Sequence, residues 1–331
     1  MKTYIIAEAG VNHNGRLDIA LELCKAAKEA GADAVKFQTW KTENIITKDV
    51  KQAEYQAINT QQIESQYDML KRLELSYEEF KKIKLYCEEI GIEFASTADD
   101  DESLEFLLSI GIPYIKIGSG DIGNISYLRK IGSKKMPIIL STGMSTISDV
   151  EISVNALKEG GAQDITLLHC TTNYPCPYQD VNLKAMETLK GVFGFSVGYS
   201  DHTVGIEIPI AAVATGAQII EKHFTLDKNM EGPDHLASTE PDEFKRMVDA
   251  IRIVEQCIGD GIKKPTKEEK EISKVVEKKI LAKKDITKGM EITEADICVK
   301  RNEIGISAKY WDLVVGTVAR KDYIIDEAII L

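Results

Sequence analysis

From residue 4 to residue 258 the hydrophobic positions fall in short blocks, each followed by a polar loop and a longer amphipathic stretch. The blocks occupy residues 4–9, 34–37, 93–97, 114–118, 137–141, 165–169, 195–199 and 219–223. They are largely continuous rather than alternating, the pattern of parallel strands that crossover helices cover on both faces. Helices are predicted between them over 17–30, 77–90, 101–110, 124–132, 147–160, 182–190, 205–215 and 240–257. Ser76 with Glu79, and Ser148 with Glu151, have the spacing of a capping box. Gly31, Gly91, Gly111, Gly160 and Gly216 stand where a left-handed C-cap would close a helix. Eight strand–helix units in about 255 residues predict a (β/α)8 TIM barrel. A doubly wound sheet is the alternative, but it usually stops at about five or six strands.

Beyond residue 258 the texture changes. Residues 260–284 are rich in Lys and Glu with one Pro, which reads as a solvated connector and helix. Short β-like pieces then follow at 280–282, 297–300, 314–319 and 324–331, around Gly289, Gly305 and Gly316. The expected organisation is a barrel over 1–260, a linker over 261–278 and a small β-rich domain over 279–331. A core that small is marginal by itself and would gain from docking elsewhere.

Composition removes several classes of function. The 331 residues carry 41 Lys and Arg against 53 Asp and Glu, a net charge of −12. Binding to a nucleic-acid backbone relies on cations that neutralise phosphates, so nucleic acid is not expected as a partner. No apolar run reaches the roughly 18 residues of a membrane span, and Glu8 interrupts the N-terminal block too early for an export signal. Cys24, Cys87, Cys170, Cys176, Cys257 and Cys298 form no CxxC pair. They read as reduced, mostly buried thiols of a cytoplasmic protein.

In a barrel of this kind the chemistry gathers where the strands end. Those ends carry Glu8, Lys36, Gln38, Thr97, Lys116, Ser119, Ser141, His169, Ser200, His202 and His223. His202 and His223 close neighbouring strands and suit a divalent transition metal such as Mn, Co or Zn, or else they anchor loops. Lys36 and Lys116, with the hydroxyls of Ser119, Ser141 and Ser200, could hold a phosphate and a carboxylate. Either lysine could instead be a Schiff-base nucleophile. Gly118 and Gly120 favour a bend that exposes amides beside Ser119, although no GxGxxG fingerprint is present. His13 either donates to a substrate or braces its loop, and His169 reads as a packing residue.

At these residues the sequence resembles the sialic acid synthase family, which condenses phosphoenolpyruvate with an N-acyl amino sugar. The segments that carry the resemblance begin with Ala7-Glu8-Ala9-Gly10-Val11-Asn12-His13-Asn14-Gly15, Val35-Lys36-Phe37-Gln38-Thr39 and Ser96-Thr97. Lys116-Ile117-Gly118-Ser119-Gly120, Leu140-Ser141-Thr142-Gly143-Met144 and Leu168-His169-Cys170-Thr171 continue it. Tyr199-Ser200-Asp201-His202-Thr203, Glu221-Lys222-His223-Phe224-Thr225, Gly232-Pro233-Asp234-His235 and Lys300-Arg301 with Gly305-Ile306-Ser307 extend it along the chain. The resemblance implies a barrel followed by an antifreeze-like (SAF) domain, which the family swaps onto the partner of a homodimer. By the same resemblance, His202 and His223 would hold a divalent metal, usually Mn2+. Lys36, Lys116, Ser119, Ser141 and Ser200 would bind phosphoenolpyruvate. Gln38, Thr97, Tyr174 and Asp234 would contact the sugar, with Arg301 of the partner chain at its N-acyl group.

Two departures from the family pattern bear on mechanism. Some members have an acidic residue where this chain has Asn14, and Asn cannot serve as a base. Proton transfer would then fall to solvent at the metal, to Glu221 or to another group. The tail motif Arg-Pro-Gly-x-Gly-Ile-Ser is interrupted here by Asn302-Glu303-Ile304. The expected reaction is attack by C3 of phosphoenolpyruvate on the open-chain aldehyde, addition of water at C2 and loss of phosphate by C–O cleavage. The metal would act as a Lewis acid on the aldehyde. N-Acetylmannosamine, giving N-acetylneuraminate, is the first expectation for the sugar. The alternative is 2,4-diacetamido-2,4,6-trideoxymannose, giving N,N'-diacetyllegionaminate. The rivals from other classes are a Schiff-base pyruvate aldolase and a non-enzymatic surface binder that works through the antifreeze-like tail.

Overall fold

The computed structural model describes residues 2–52 and 64–330. Its first compact unit, Met1–Gly259, contains eight strands. These are β1 (Tyr4–Gly10), β2 (Ala34–Thr39), β3 (Glu93–Ala98), β4 (Ile115–Ile117), β5 (Ile138–Ser141), β6 (Ile165–His169), β7 (Ser196–Asp201) and β8 (Ile219–His223). All neighbours pair in parallel, and β8 closes on β1, so the sheet is a closed barrel in sequence order. The expected TIM barrel is the observed one.

Helices follow each strand, close to where the apolar periodicity places them, as in Leu17–Glu29, Tyr77–Ile90 and Pro241–Cys257. The Ser76–Glu79 capping box is present. The one expected at Ser148 sits two residues earlier, where Thr146 caps and Asp149 reaches back from N3. Gly160 is likewise the last residue of its helix, and Gly161, at φ 113°, takes the left-handed cap. The reason lies in helix packing. A Cβ on Gly160 would stand 2.2 Å from Arg129 O, and one on Gly132 would stand 2.2 Å from Leu157 O. The helices Ile125–Ser133 and Ile147–Gly160 thus meet backbone to backbone through paired glycines. Gly160→Ala should destabilise the protein by about 2–3 kcal/mol through overpacking. Denaturant unfolding checks this, and a loss below about 0.5 kcal/mol would mean that the contact yields.

Two further helices, Thr42–Ile45 and Gln66–Leu73, occupy the excursion after β2, which the periodicity does not predict. They enclose a satellite core of Val11, Trp40, Met69 and Leu73.

What places the site is a change of layer inside the barrel. Ile6, Ala34, Ala95, Tyr114, Ile139 and Leu168 form one buried apolar cluster. Side chains two residues apart on a strand share a face. The next inward positions are therefore Glu8, Lys36, Thr97, Lys116, Ser141 and Cys170. On β7 and β8 the same step runs from Gly198 to Ser200 and from Ile219 to Glu221. Almost every strand passes from an apolar filling to a polar or ionisable group in one step. A bulge between Glu8 and Gly10 shifts the β1–β2 register just beneath the rim.

The second compact unit is Asp260–Leu331. The connector holds a helix, Lys267–Val276, with no buried residue, as a solvated charge run should. β9 (Lys278–Ala282) pairs antiparallel with β10 (Ile297–Arg301). Ile280, Ile286, Ile292, Ile297, Val314, Tyr323 and Ile329 belong to its small core. The β-like piece expected at 314–319 is instead the end of a short helix, Trp311–Val314, followed by a single bridge from Val318 to Glu291. The piece at 324–331 contributes only isolated bridging through Ala328, and its last residue, Leu331, lies outside the described residues. Cys24, Cys87, Cys170 and Cys176 are buried, and all six cysteines are free thiols. No described helix is long and apolar enough to cross a membrane.

Candidate active site

The polar layer lines a cavity of about 200 Å3 at the C-terminal end of the barrel. At its centre are four ionisable groups that water barely reaches: Glu8, Lys36, Lys116 and Glu221 are 2–5% exposed. Lys36 Nζ lies 2.5 Å from Glu8 Oε2 and 3.7 Å from Glu221 Oε2, while Lys116 Nζ lies 3.6 Å from Glu221 Oε1. Two ammonium groups thus face two carboxyl groups. Hydroxyls complete it. Lys36 donates to Thr97 Oγ1 at 3.2 Å, Lys116 to Ser141 Oγ at 2.7 Å, and Ser200 Oγ to Glu221 Oε1 at 2.9 Å.

The environment splits the two carboxylates. Burial pushes Glu8 up, Glu221 adds to this, and Lys36 opposes it. Burial works in the same sense on Glu221, but Lys116, Lys36 and the Ser200 hydroxyl outweigh it and hold the group ionised. Desolvation lowers Lys116, with Lys36 adding to the effect. For Lys36 the attraction of Glu221 and Glu8 overcomes the same desolvation, and its pKa is raised.

On the β7–β8 side, the His202 and His223 rings stand 5.4 Å apart, and Tyr174 packs on both, 4.2 Å from the first and 5.4 Å from the second. His202 Nδ1 is 2.7 Å from Thr171 O, which fixes it as the protonated nitrogen and leaves the lone pair on Nε2. His223 Nδ1 is buried without a hydrogen-bond partner. Burial lowers the pKa of both rings, so they are neutral, as metal ligands must be. Among the described residues no group of three or more His, Cys, Asp or Glu forms a metal cage. The pair therefore fits a metal that takes its remaining ligands from substrate or solvent.

A larger cavity of about 730 Å3 lies alongside and shares Met144, Cys170 and Thr172 with the first. Lys184 is its only charged side chain among the described residues, whereas the smaller cavity gathers the charged cluster, so the chemistry is assigned to the smaller one.

Residues 23–263 match the NeuB family, and residues 280–329 match the SAF domain. The chain belongs to the NeuB family. It is 49% identical over 330 residues, 99% of each chain, to the N,N'-diacetyllegionaminic acid synthase of Campylobacter jejuni. To the protein of the same name from Legionella pneumophila it is 48% identical, over 96% of this chain and 90% of the other. The crystal structure of an N-acetylneuraminic acid (sialic acid) synthetase from Leptospira borgpetersenii, in complex with citrate, superposes with a TM-score of 0.73 at 36% identity, over 82% of this chain and 90% of that one.

Most residues singled out from the sequence of this NeuB chain meet in the cavity: Lys36, Gln38, Thr97, Lys116, Ser119, Ser141, Tyr174, Ser200, His202, Glu221 and His223. Five lie elsewhere. Asn14, expected among the catalytic groups, is not in the cavity lining; it donates to Glu231 O at 2.8 Å, and its Oδ1 meets His235 Nε2 at 3.3 Å. Its backbone is left-handed, at φ 54°, which turns the side chain into the loop over 231–235. Asp234 belongs to that loop, outside the cavity lining, and burial pushes its carboxyl up to about 6. Arg301 ends β10 in the second unit and is exposed. His13 braces its loop by accepting from Gly15 N at 3.0 Å, and His169 packs as expected, tied to Val181 O at 2.7 Å.

The sequence reading gave no role to Asp99, Cys170 or Thr172, which also line the cavity, and none to Glu8 beyond its place on the rim. The two-residue step along each strand was the signal that could have found Asp99. Gly143 is a further part of the site. A Cβ there would stand 2.2 Å from Thr172 Oγ1 and 2.8 Å from Ser119 Oγ, and Gly143 N donates to Ser119 Oγ at 2.9 Å. Those hydroxyls can rotate away, so Gly143→Ala should spare the fold while spoiling the pocket. The expected result is a Tm close to wild type with the KM for phosphoenolpyruvate raised about tenfold. An unchanged KM would remove Ser119 from the binding site.

Proposed function

We propose that the protein condenses phosphoenolpyruvate with 2,4-diacetamido-2,4,6-trideoxymannose to give N,N'-diacetyllegionaminate and inorganic phosphate. The observation that carries this reading is the 49% identity, across 99% of both chains, to a N,N'-diacetyllegionaminic acid synthase. It favours that sugar over N-acetylmannosamine, the first expectation from the sequence. The cavity supplies the chemistry. Lys36 and Lys116 bind the phosphate and carboxylate of phosphoenolpyruvate, and Ser119, Ser141 and Ser200 orient them. Gln38, Thr97 and Tyr174 contact the sugar.

C3 of phosphoenolpyruvate forms the new bond to the aldehyde carbon, and the aldehyde oxygen takes up a proton. Water then adds at C2, and the tetrahedral intermediate breaks its C–O bond to release phosphate. Opposite pKa shifts suit the two carboxyls to the proton work: Glu8, pushed up, would donate to the forming hydroxyl, and Glu221, held ionised, would accept from the attacking water. A divalent metal such as Mn2+, held by His202 and His223, would supply Lewis-acid polarisation of the aldehyde. In a homodimer, Arg301 of the second unit would meet the N-acyl group in the partner's barrel, and the small core of that unit would gain from docking there.

The test is phosphate release from phosphoenolpyruvate by chelator-stripped protein, with and without Mn2+, offering each sugar separately. Release that needs both metal and the diacetamido sugar supports the reading. A higher kcat/KM with N-acetylmannosamine would return the sugar to the first expectation. Covalent trapping by borohydride with free pyruvate, insensitive to chelator, would replace the synthase with the Schiff-base aldolase.

A further inference from the structure

β3 ends at Ala98, yet the ladder continues for one residue: Asp99 N donates to Thr39 O at 3.1 Å. Alternation along the extended chain therefore stacks Asp99 above Thr97 on the inward face. Asp99 lines the catalytic cavity with Thr97, Gln38 and Lys36. It also lines a second cleft of about 540 Å3, which includes Asn44, Asn124 and Lys130.

Three carboxylates around it are engaged. Asp100 caps the helix Asp101–Ser109 and accepts from Lys41 N at 2.8 Å. Asp101 pairs with Lys130 at 3.0 Å, and Asp121 accepts from Asn124 at 3.0 Å. Asp99 differs: it is half-buried, and no donor among the described residues hydrogen-bonds its carboxylate. Burial pushes it up to about 7, with Asp121 adding and Lys36 opposing. A half-buried acceptor without a donor, facing a substrate cavity, is poised for a donor that the substrate brings.

The lysines that line these two cavities are already matched. Lys36 and Lys116 face Glu8 and Glu221, and Lys130, the one cation lining the outer cleft among the described residues, is held by Asp101 and lies 3.5 Å from Glu105. In the outer cleft a second phosphate on the sugar would meet carboxylates and, among the described residues, no cation without a carboxylate partner.

We infer that Asp99 selects the sugar, accepting a hydrogen bond from an O–H or N–H of an uncharged amino sugar and turning away one that bears a phosphate. The inference rests on the condensation proposed above and names the substrate class of that site. Its test compares kcat/KM for 2,4-diacetamido-2,4,6-trideoxymannose, N-acetylmannosamine and N-acetylmannosamine 6-phosphate in wild type, Asp99→Asn and Asp99→Ala. Asn is isosteric and removes only an unpaired charge, so the fold should hold. The wild-type preference for the neutral sugars should fall by about tenfold or more in both variants, through the KM of the sugar rather than that of phosphoenolpyruvate. An active wild type whose preference neither variant changes overturns the inference alone. A wild type that releases no phosphate with any sugar overturns the proposed function and the inference with it.

Discussion

Lys36→Met should lose at least about a thousandfold in kcat/KM for phosphoenolpyruvate and be measurably less stable. The ammonium lies 2.5 Å from Glu8 and 3.7 Å from Glu221, and all three side chains are buried. Removing it leaves two buried carboxylates facing Lys116 alone. Breaking a buried pair from one side costs about 3–5 kcal/mol when the remaining group keeps its charge. Here Glu8 is already pushed upward by burial, so it can take up a proton, and the stability loss should sit at the lower end of that range. Activity has no such relief, because a neutral Glu8 does not replace the cation proposed to hold the substrate anion. Adding Glu8→Gln to Lys36→Met should therefore recover most of the stability and almost none of the turnover. Chemical unfolding and phosphate release, read on both single variants and the double, give the coupling directly. A single variant with wild-type stability and an unchanged KM for phosphoenolpyruvate would show that the anion binds elsewhere.

The same cluster shows how far the sequence could be read. Glu8, Lys36, Lys116, Ser141 and Ser200 were visible as polar ends of apolar blocks, because a strand buried on both faces has no other reason to carry an ionisable side chain. Their convergence followed once eight such blocks closed into a barrel. What escaped was what strand parity or loop geometry decides. Asn14 stands in the motif, but its left-handed backbone directs it to Glu231 and His235 instead of the cavity. Gly160 looked like a helix end, and a contact with Arg129, distant in sequence, gives it a packing role instead. Asp99 was given no role, and the continued ladder to Thr39 is what turns it inward. For Asn14 and Gly160 the deciding partner lies far along the chain, where local periodicity carries no information. For Asp99 the two-residue step from Thr97 carries it once the strand runs past Ala98.

A second buried pair, which supports the site from outside the barrel, gives the other large effect. Lys222 and Asp201 alternate with the inward-facing Glu221, His223 and Ser200, so they point away from the cavity. Lys222 Nζ lies 2.5 Å from Asp201 Oδ2, with side chains 1% and 0% exposed. Lys222 also donates to Thr203 O at 2.9 Å, while Asp201 Oδ1 accepts from Thr203 Oγ1 at 2.9 Å. These contacts fix the backbone on both sides of His202 and tie β7 to β8, the strands that present the two imidazoles. Lys222→Met should cost about 3–5 kcal/mol, because it leaves the Asp201 carboxylate buried among neutral partners, the hydroxyls of Thr203 and Tyr199 and the Thr203 amide. The double variant Lys222→Met with Asp201→Leu should be more stable than Lys222→Met alone, since no unmatched charge then remains. Both should still disturb the histidines, whose spacing depends on that tie. If His202 and His223 hold the metal, the Mn2+ concentration for half-maximal activity should rise about tenfold to a hundredfold in the double variant even where stability recovers. Recovery of stability together with unchanged Mn2+ dependence would assign the pair to folding alone, because a clamp that only stabilises the barrel would leave the metal requirement where it was.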